Sequence, residues 1–593
     1  MRRPSILGRF FIWKVKNTDH KYFLLVLSVI IGLLSGLAAV TLKTTVHYIG
    51  VFFTKSKVFD IQEENYYYLA YPLIGILITV WYVRTFIKQD IGHGISRILY
   101  AISKKSAIMK SHNMYSSIIS CTFTGGFGGS VGMEAPIVST GAAIGSNIGQ
   151  LFRMNYKATA LLVACGATGA MAGIFNAPIA ALIFSLEVLM LDLTLTSIIP
   201  LLMASVTGAL MANLLLGDQI MFYFTLKDAF NIYHLPYYIA LGVIAGIISV
   251  YFTRVNMSVE AHLEKILNPY KRLLIGGVIL GMLIFIFPPL YGEGYIAMKA
   301  ILSGTADSLL NNSLFYSMRD NSWFLILFLV FVLLFKVIAT AITTGTGGIG
   351  GIFAPTLFMG GITGFVFAKV LNSFNFVTVS ESNFALVGMA GLIAGVIHAP
   401  LTAIFLIAEI TNGYDLFIPL MVTSAISYLT IMFFEPHSIY TKRLAKRGEL
   451  LTHHKDKAVL SQLRLETLIE KDATTIKEDA TLGDLVKVIA NSKRNIIAVL
   501  DENQMLLGIV PLDSIRKIMF NQEMYDVTEV GSLMVLPPTY VYSTEPMEEV
   551  LKKFEDSGEW SLPVIDDGQY KGFVLKNRLF SAYRQKMIEF SED

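Results

Sequence analysis

Long apolar runs recur along most of this 593-residue chain, at Tyr22–Val40, Tyr67–Val83, Ala158–Met190, Ser197–Leu215, Tyr237–Tyr251, Leu273–Leu290, Trp323–Ile342, Phe384–Ile410 and Leu416–Phe434. About 20 apolar residues in a helix cross a bilayer, so the pattern predicts a polytopic all-α membrane protein. Several runs are too short or too broken by glycine for a clean crossing, which predicts interrupted helices. From about Glu435 the pattern changes: charged residues become frequent and the long runs end. PHSIYTKRLAKRGELLTHHKDK, beginning at Pro436, reads as an amphipathic helix and a linker too basic for the bilayer.

The remaining tail has a soluble α/β pattern that occurs twice. In the first copy Ile496, Ala498 and Leu500 alternate before the acidic turn Asp501–Glu502–Asn503, and Leu507, Ile509 and Val510 follow. This is strand, helix, strand, turn, strand, helix. In the second copy Asp566–Asp567–Gly568 is a hairpin signal. The predicted organisation is a membrane domain over 1–440, with halves at about 20–217 and 235–440, a linker over 441–463, and α/β units over 464–522 and 527–587.

Composition narrows the function classes. A hydrophobic fraction of 54%, a charged fraction of 15% and a mean hydropathy of +0.58 exclude an ordinary soluble protein, in which about 25% of residues are charged. A net charge of +3 without a basic, aromatic-interleaved patch excludes nucleic acid as a partner. Cys121 and Cys165 both lie in apolar segments and supply no disulfide framework. Arg2, Arg3, Arg9, Lys14 and Lys16 precede the first run, and no small-residue cleavage site follows it. A retained span in the cell membrane is predicted, with the N-terminus and the α/β tail in the cytoplasm.

The membrane part also repeats itself. GGSVGMEAPIVSTGAAIG, beginning at Gly128, aligns with GGIGGIFAPTLFMGGITG, with Gly132 over Gly351, Glu134 over Phe353, Pro136 over Pro355, Gly141 over Gly360 and Gly145 over Gly364. AGIFNAPIAALIFSLEV, beginning at Ala172, aligns with AGVIHAPLTAIFLIAEI, with Asn176 over His398, Pro178 over Pro400 and Glu187 over Glu409. Repeated membrane halves are a transporter and channel architecture, with the substrate site at their interface. A glycine-rich loop, a proline and then a helix yield an exposed helix N-terminus whose free N–H groups and dipole favour an anion. Non-helical backbone at membrane depth is tolerated only in protein or along a cavity, so these breaks mark a pathway. An intramembrane carboxylate is costly and by default functional. Glu134, at the start of such a helix, mimics the anion it would exclude.

GHGIS at Gly92–Ser96, GMEAP at Gly132–Pro136, GIFAP at Gly351–Pro355 and the late SIYTKRLAKRG containing Tyr440 resemble the CLC chloride channel and transporter family. The usual forms there are GSGIP, G(K/R)EGP and GxFxP followed by a tyrosine. Many members also end in two cystathionine-β-synthase-type (CBS) domains. The resemblance implies halves of inverted topology and a homodimer with one chloride pore in each subunit. It implies Glu134 as the gating carboxylate, whose side chain occupies an anion position and swings aside. Carried over by position, the anion-binding residues are His93, Gly132, Met133, Ile352 and Phe353 through loop or backbone groups, and Tyr440 through its hydroxyl. By position alone Tyr440 reads first as an interfacial anchor, and the family motif reverses that reading.

The departures are informative. His93 and Ser96 replace the usual serine and proline; a histidine ring can donate to an anion and titrates near neutral pH. Met133 replaces a Lys or Arg, which removes a charge beside the gate. Family exchangers carry a proton-passing glutamate at the position of Val188. Its neighbour Glu187 points about 100° away around the helix, so Glu187 and Glu409 read as helix-end partners. Apolar Val188 favours a passive chloride channel, with a chloride/proton exchanger as the alternative. The CBS signature has Pro511 and Ser514 in one copy, and Leu575 and Arg578 in the other, where a phosphate-binding hydroxyl and a ribose-binding aspartate are usual. Adenine nucleotide binding is therefore not expected, and a structural or dimer-strengthening tail is. His453, His454 and Glu435 lack the His-Glu-x-x-His spacing of a metalloenzyme, so neither an enzyme, a metal site nor a cofactor is implied. A CBS-regulated cation transporter, the remote alternative, would need intramembrane carboxylates for a hard cation.

Overall fold

The computed structural model describes residues 20–55, 67–89, 91–92, 94–189, 195–217, 230–311, 313–319, 321–374, 377–411, 413–446, 463–470, 474–492 and 494–591. The basic N-terminal segment, His93 and most of the predicted linker lie outside these residues. The chain forms two compact units, divided at Leu450.

The first unit is helical. Its first half comprises α1 (His20–Lys55), α2 (Tyr67–Tyr82), α3 (Gly94–Lys104), α4 (Asn113–Gly126), α5 (Glu134–Leu151), α6 (Tyr156–Phe175), α7 (Pro178–Glu187) and α8 (Leu195–Leu216). Its second half comprises α9 (Leu235–Glu264), α10 (Pro269–Ile286), α11 (Tyr295–Leu302), α12 (Ser322–Gly345), α13 (Phe353–Ser373), α14 (Glu381–Ile397), α15 (Pro400–Ile410), α16 (Phe417–Met432) and α17 (Ile439–Lys446). Among the described residues eight helices are long and apolar enough to cross a membrane; α7, α14, α15 and α16 are shorter apolar helices.

Two runs that read as continuous in sequence are broken in the structure. Ala158–Met190 divides into α6 and α7, and Phe384–Ile410 into α14 and α15. At the break Asn176 and His398 take left-handed backbone (φ 56° and 60°), and Pro178 and Pro400 start the next helix. The halves pack alike: α5 on α6 as α13 on α14, and α1, α6 and α8 together as α9, α14 and α16. The repeated glycines explain the first pair. A Cβ on Gly141 would lie 2.1 Å from the Gly166 carbonyl, and one on Gly360 would lie 2.5 Å from the Gly388 carbonyl. Only glycine lets these backbones touch, and inside lipid such packing is a main source of helix association.

The second unit contains two three-stranded sheets. In the first, β1 (Thr475–Lys477) pairs parallel to β2 (Ile496–Leu500), which pairs antiparallel to β3 (Leu506–Pro511). Helices α18 (Leu482–Asn491) and α19 (Leu512–Ile515) accompany it. The second repeats the order with β4 (Val541–Tyr542), β5 (Ser561–Asp566) and β6 (Gln569–Leu575), and with α20 (Met547–Ser557) and α21 (Lys576–Ser591). The hairpin signal is used as read: Asp567 and Gly568 have φ of 49° and 80° between β5 and β6.

Candidate functional site

The starts of α5 and α13 meet in the interior of the first unit. The Gly132 N–H donates to the Gly351 carbonyl at 2.8 Å, and the Gly351 N–H donates back to the Gly132 carbonyl at 2.7 Å. This antiparallel bridge joins one half to the other at equivalent positions. Immediately after it, Met133 and Ile352 take the same backbone conformation (φ −86° and −92°), and Glu134 and Phe353 open their helices. Two helix N-termini, each with unsatisfied N–H groups and a positive dipole end, thus face one region.

Glu134 is 2% exposed. Its Oε1 accepts from the Tyr295 hydroxyl at 2.5 Å. The backbone N–H groups of Glu134 itself and of Ala354 also face the carboxyl group, although none forms a hydrogen bond to Oε2. A Cβ on Gly132 would stand 2.0 Å from that Oε2, so glycine there makes room for the carboxylate. The carboxylate thus sits where the N-termini of α5 and α13 would hold an anion.

The other residues expected at the site are distributed as follows. Phe353 is fully buried, with its ring 5.4 Å from that of Phe175. Gly132 has committed its N–H to Gly351, and so serves the site through its missing side chain. Tyr440 is buried at the start of α17, and its hydroxyl has no hydrogen-bond partner among the described residues. Glu134 and Arg443 are the charged groups that act on that hydroxyl. Ser96, where the resemblance has proline, donates to the Tyr440 carbonyl at 2.9 Å and fastens α3 to α17.

Val188 caps α7 and is buried. Glu187 reaches across the half boundary: its carboxylate accepts from the N–H groups of Leu401 at 3.0 Å and Thr402 at 2.8 Å, and from the Thr402 hydroxyl at 2.7 Å. Glu409 reciprocates, accepting from the N–H groups of Ile179 at 3.0 Å and Ala180 at 2.8 Å. Each glutamate therefore caps the other half's short helix, α15 or α7. The crossing is antiparallel, as an inverted repeat requires.

A cavity of about 1080 Å³ opens on one side of this centre, lined by the Gly345–Gly350 segment that leads into α13. Arg84, Lys88, Arg97, Arg272 and Arg443 stand on its wall against two carboxylates, Glu260 and Glu264. Glu260 is tied down, with Arg443 paired to one oxygen and the Thr344 hydroxyl donating to the other at 2.6 Å. The excess of cations draws anions toward the cavity.

Three residues at the centre escaped the sequence reading: Tyr295, Glu293 and Lys336. Lys336 is fully buried and donates to the carbonyls of Gly292 at 2.8 Å and Leu290 at 3.2 Å. It is the single charge in the run Trp323–Ile342, which was the available signal.

Comparison with known proteins agrees with this arrangement. Residues 74–431 match the Voltage gated chloride channel family, and residues 465–521 and 530–585 each match the CBS domain. The chain is 29% identical over 449 residues to the H(+)/Cl(-) exchange transporter ClcA of Vibrio campbellii, an alignment that covers 72% of this chain and 90% of that protein. It is 29% identical over 355 residues to a putative chloride channel protein, ClcB-like, of Ralstonia nicotianae, covering 59% and 77%. The structure of a slow cyanobacterial Cl-/H+ antiporter superposes with a TM-score of 0.61 at 23% identity, covering 73% of this chain and 99% of that one. With its paired helix N-termini, its buried carboxylate and its two CBS units, the chain belongs to the CLC family of voltage gated chloride channels and transporters, multi-pass membrane proteins that carry anions.

Proposed function

We propose that the protein exchanges chloride for protons, with Glu134 as both gate and proton acceptor. One observation carries this reading: the Glu134 carboxylate lies at the meeting point of two helix N-termini, in the place that suits an anion. Ionised, it competes with chloride for those N–H groups. Protonated, it loses its attraction for them and yields the site. The ionised carboxylate and the anion are then alternative occupants of one site, so that proton uptake by Glu134 is linked to anion entry, as exchange requires. Similarity to proteins named as exchangers favours this alternative over the passive channel that Val188 suggested from sequence.

The anion would be held by the N–H groups of Ile352 and Phe353 and by the Tyr440 hydroxyl, whose free donor supports that role. Chloride would reach it from the cation-lined cavity. A homodimer with one pathway in each subunit and a cytoplasmic tail complete the reading. The tail's role is structural: Arg494 and Arg578 both hold the Glu470 carboxylate, and the Ser514 hydroxyl is turned to the Pro511 carbonyl at 2.6 Å.

The test is a paired recording on purified protein in liposomes, with chloride and proton electrodes, under a chloride gradient and no proton gradient. Exchange drives protons against their own gradient at a fixed ratio to chloride. Dissipation of chloride with no proton movement would return the protein to the passive channel.

A further inference from the structure

An exchanger must move protons to and from its gate, and the position where a proton-passing glutamate would be sought, Val188, cannot hold one. Glu187 is also committed, since its carboxylate caps α15. The described centre holds a different ionisable group. Glu293 lies in the loop that joins α10 to α11, and its buried Oε1 has no hydrogen-bond partner among the described residues.

This loop is built onto the gate. The Gly292 N–H donates to the Gly128 carbonyl at 3.1 Å, and a Cβ on Gly128 would fall 1.9 Å from the Tyr291 ring. Two residues beyond Glu293, Tyr295 donates its hydroxyl proton to Glu134. The charged groups that act on Glu293 are Glu134 of α5, Lys43 of α1 and Lys336 of α12. Lys336 is anchored to the same loop through the Gly292 and Leu290 carbonyls and stands 5.0 Å from the centre of the Phe358 ring. Glu293 is thus a carboxyl group with a buried oxygen that no hydrogen bond holds among the described residues, and the groups whose charge it feels include the gate itself.

From this geometry we infer that Glu293 is the second proton-carrying carboxylate of the exchange cycle, passing protons between Glu134 and the aqueous phase on its own side of the membrane. The inference rests on the exchanger reading. In the step envisaged, a protonated Glu293 gives its proton to the Glu134 carboxylate by way of the Tyr295 hydroxyl or a water. Glu134 becomes the neutral acid and releases the helix N-termini to chloride. Glu293 is left as a carboxylate, with Lys336 and Lys43 the basic groups that act on it. The side follows from α10: Pro269 and Arg272, at its start, line the cation-rich cavity, and Glu293 follows its far end, about 27 Å away for an 18-residue helix. Chloride and protons would thus approach Glu134 from opposite ends.

The test uses full-length protein in liposomes, with chloride and proton fluxes recorded together for wild type, Glu293→Gln and Glu293→Asp. The glutamine variant is expected to keep chloride flux while proton transport falls by about ten-fold or more. Its dependence on the pH of the compartment facing the loop should flatten, and the aspartate variant should restore coupling in part. If wild type exchanges and Glu293→Gln exchanges at the same ratio and with the same pH profile, the assignment is wrong and the exchanger reading stands. Equal loss of both fluxes in Glu293→Gln and in Glu293→Asp would show a structural role and overturn it too. If wild type moves no protons uphill, the exchanger reading fails and the assignment falls with it.

Discussion

At the start of the helix that meets the pathway, the first half of the membrane unit carries Glu134; the second half, at the same place, carries Phe353. The backbones around them are alike, from the Gly132–Gly351 bridge to the matching Met133 and Ile352 conformations. Other features recur with their chemistry intact, such as the reciprocal caps of Glu187 and Glu409 and the close glycine contacts at Gly141 and Gly360. What repeats is scaffold. The ionisable side chains at the centre do not repeat: Glu134 aligns with Phe353, and Lys336, at the shift of 219 residues that relates these motifs, aligns with Ser117. The fold builds two converging helix N-termini by symmetry and, in the proposed reading, makes them a gated site by breaking it.

The largest effect should come from Glu134→Gln, which makes the two halves alike in charge. Proton coupling should be lost, with chloride flux retained and nearly independent of pH, as measured with paired electrodes. Coupling preserved in this variant would show that the asymmetry between residues 134 and 353 is not what couples the ions.

A second contrast uses the bridge itself. In Gly132→Ala the new Cβ would stand 2.0 Å from Glu134 Oε2, whereas in Gly351→Ala the nearest atoms are the Cβ and N of Ala135 at 3.0 Å. The first substitution should displace the carboxylate and weaken the pH dependence of flux. The second should leave that profile in place and cost only packing. Identical profiles would mean that the carboxylate does not rest against Gly132.

The caps sharpen the comparison from the other side. Glu187→Gln and Glu409→Gln each remove a charge from a helix N-terminus in opposite halves, at a cost of about 1 kcal/mol. Both should lower the thermal unfolding midpoint of detergent-purified protein similarly, and neither should alter the proton to chloride ratio. A change of ratio in Glu187→Gln alone would make that residue a proton carrier.

The smallest effect is expected for Tyr440→Phe, which deletes one of several donors. Chloride binding measured by calorimetry should weaken by about 1 kcal/mol, roughly five-fold. Unchanged affinity would make Tyr440 a packing residue.

The scaffold was legible in the sequence because it is local and repeated. Glycine before and proline after a helix start mark an N-terminus wherever they occur, and two copies made Glu134 stand out. The phase of α7 was also enough to turn Glu187 away from Val188. The breaks after Asn176 and His398 were harder, since the flanking residues are apolar and the hydrophobic pattern runs through them; the Asn-Ala-Pro and His-Ala-Pro steps were the local sign. Tyr295 could not be placed, because it reaches Glu134 only through the packing of the 287–294 loop on Gly128, some 160 positions away, and Glu293 belongs to that same loop. Lys336 was readable as a lone charge in an apolar run, but its acceptors are carbonyls of that same loop, which no periodicity reveals.

The central claim is that a carboxylate and an anion take turns at one place between α5 and α13. The most direct measurement is anomalous scattering from crystals of Glu134→Gln and of wild type grown in bromide at the same pH. A bromide peak at the position of the Glu134 carboxyl group in the variant, weak or missing in wild type, is the predicted result. Equal peaks there in both proteins, or none in either, would contradict it.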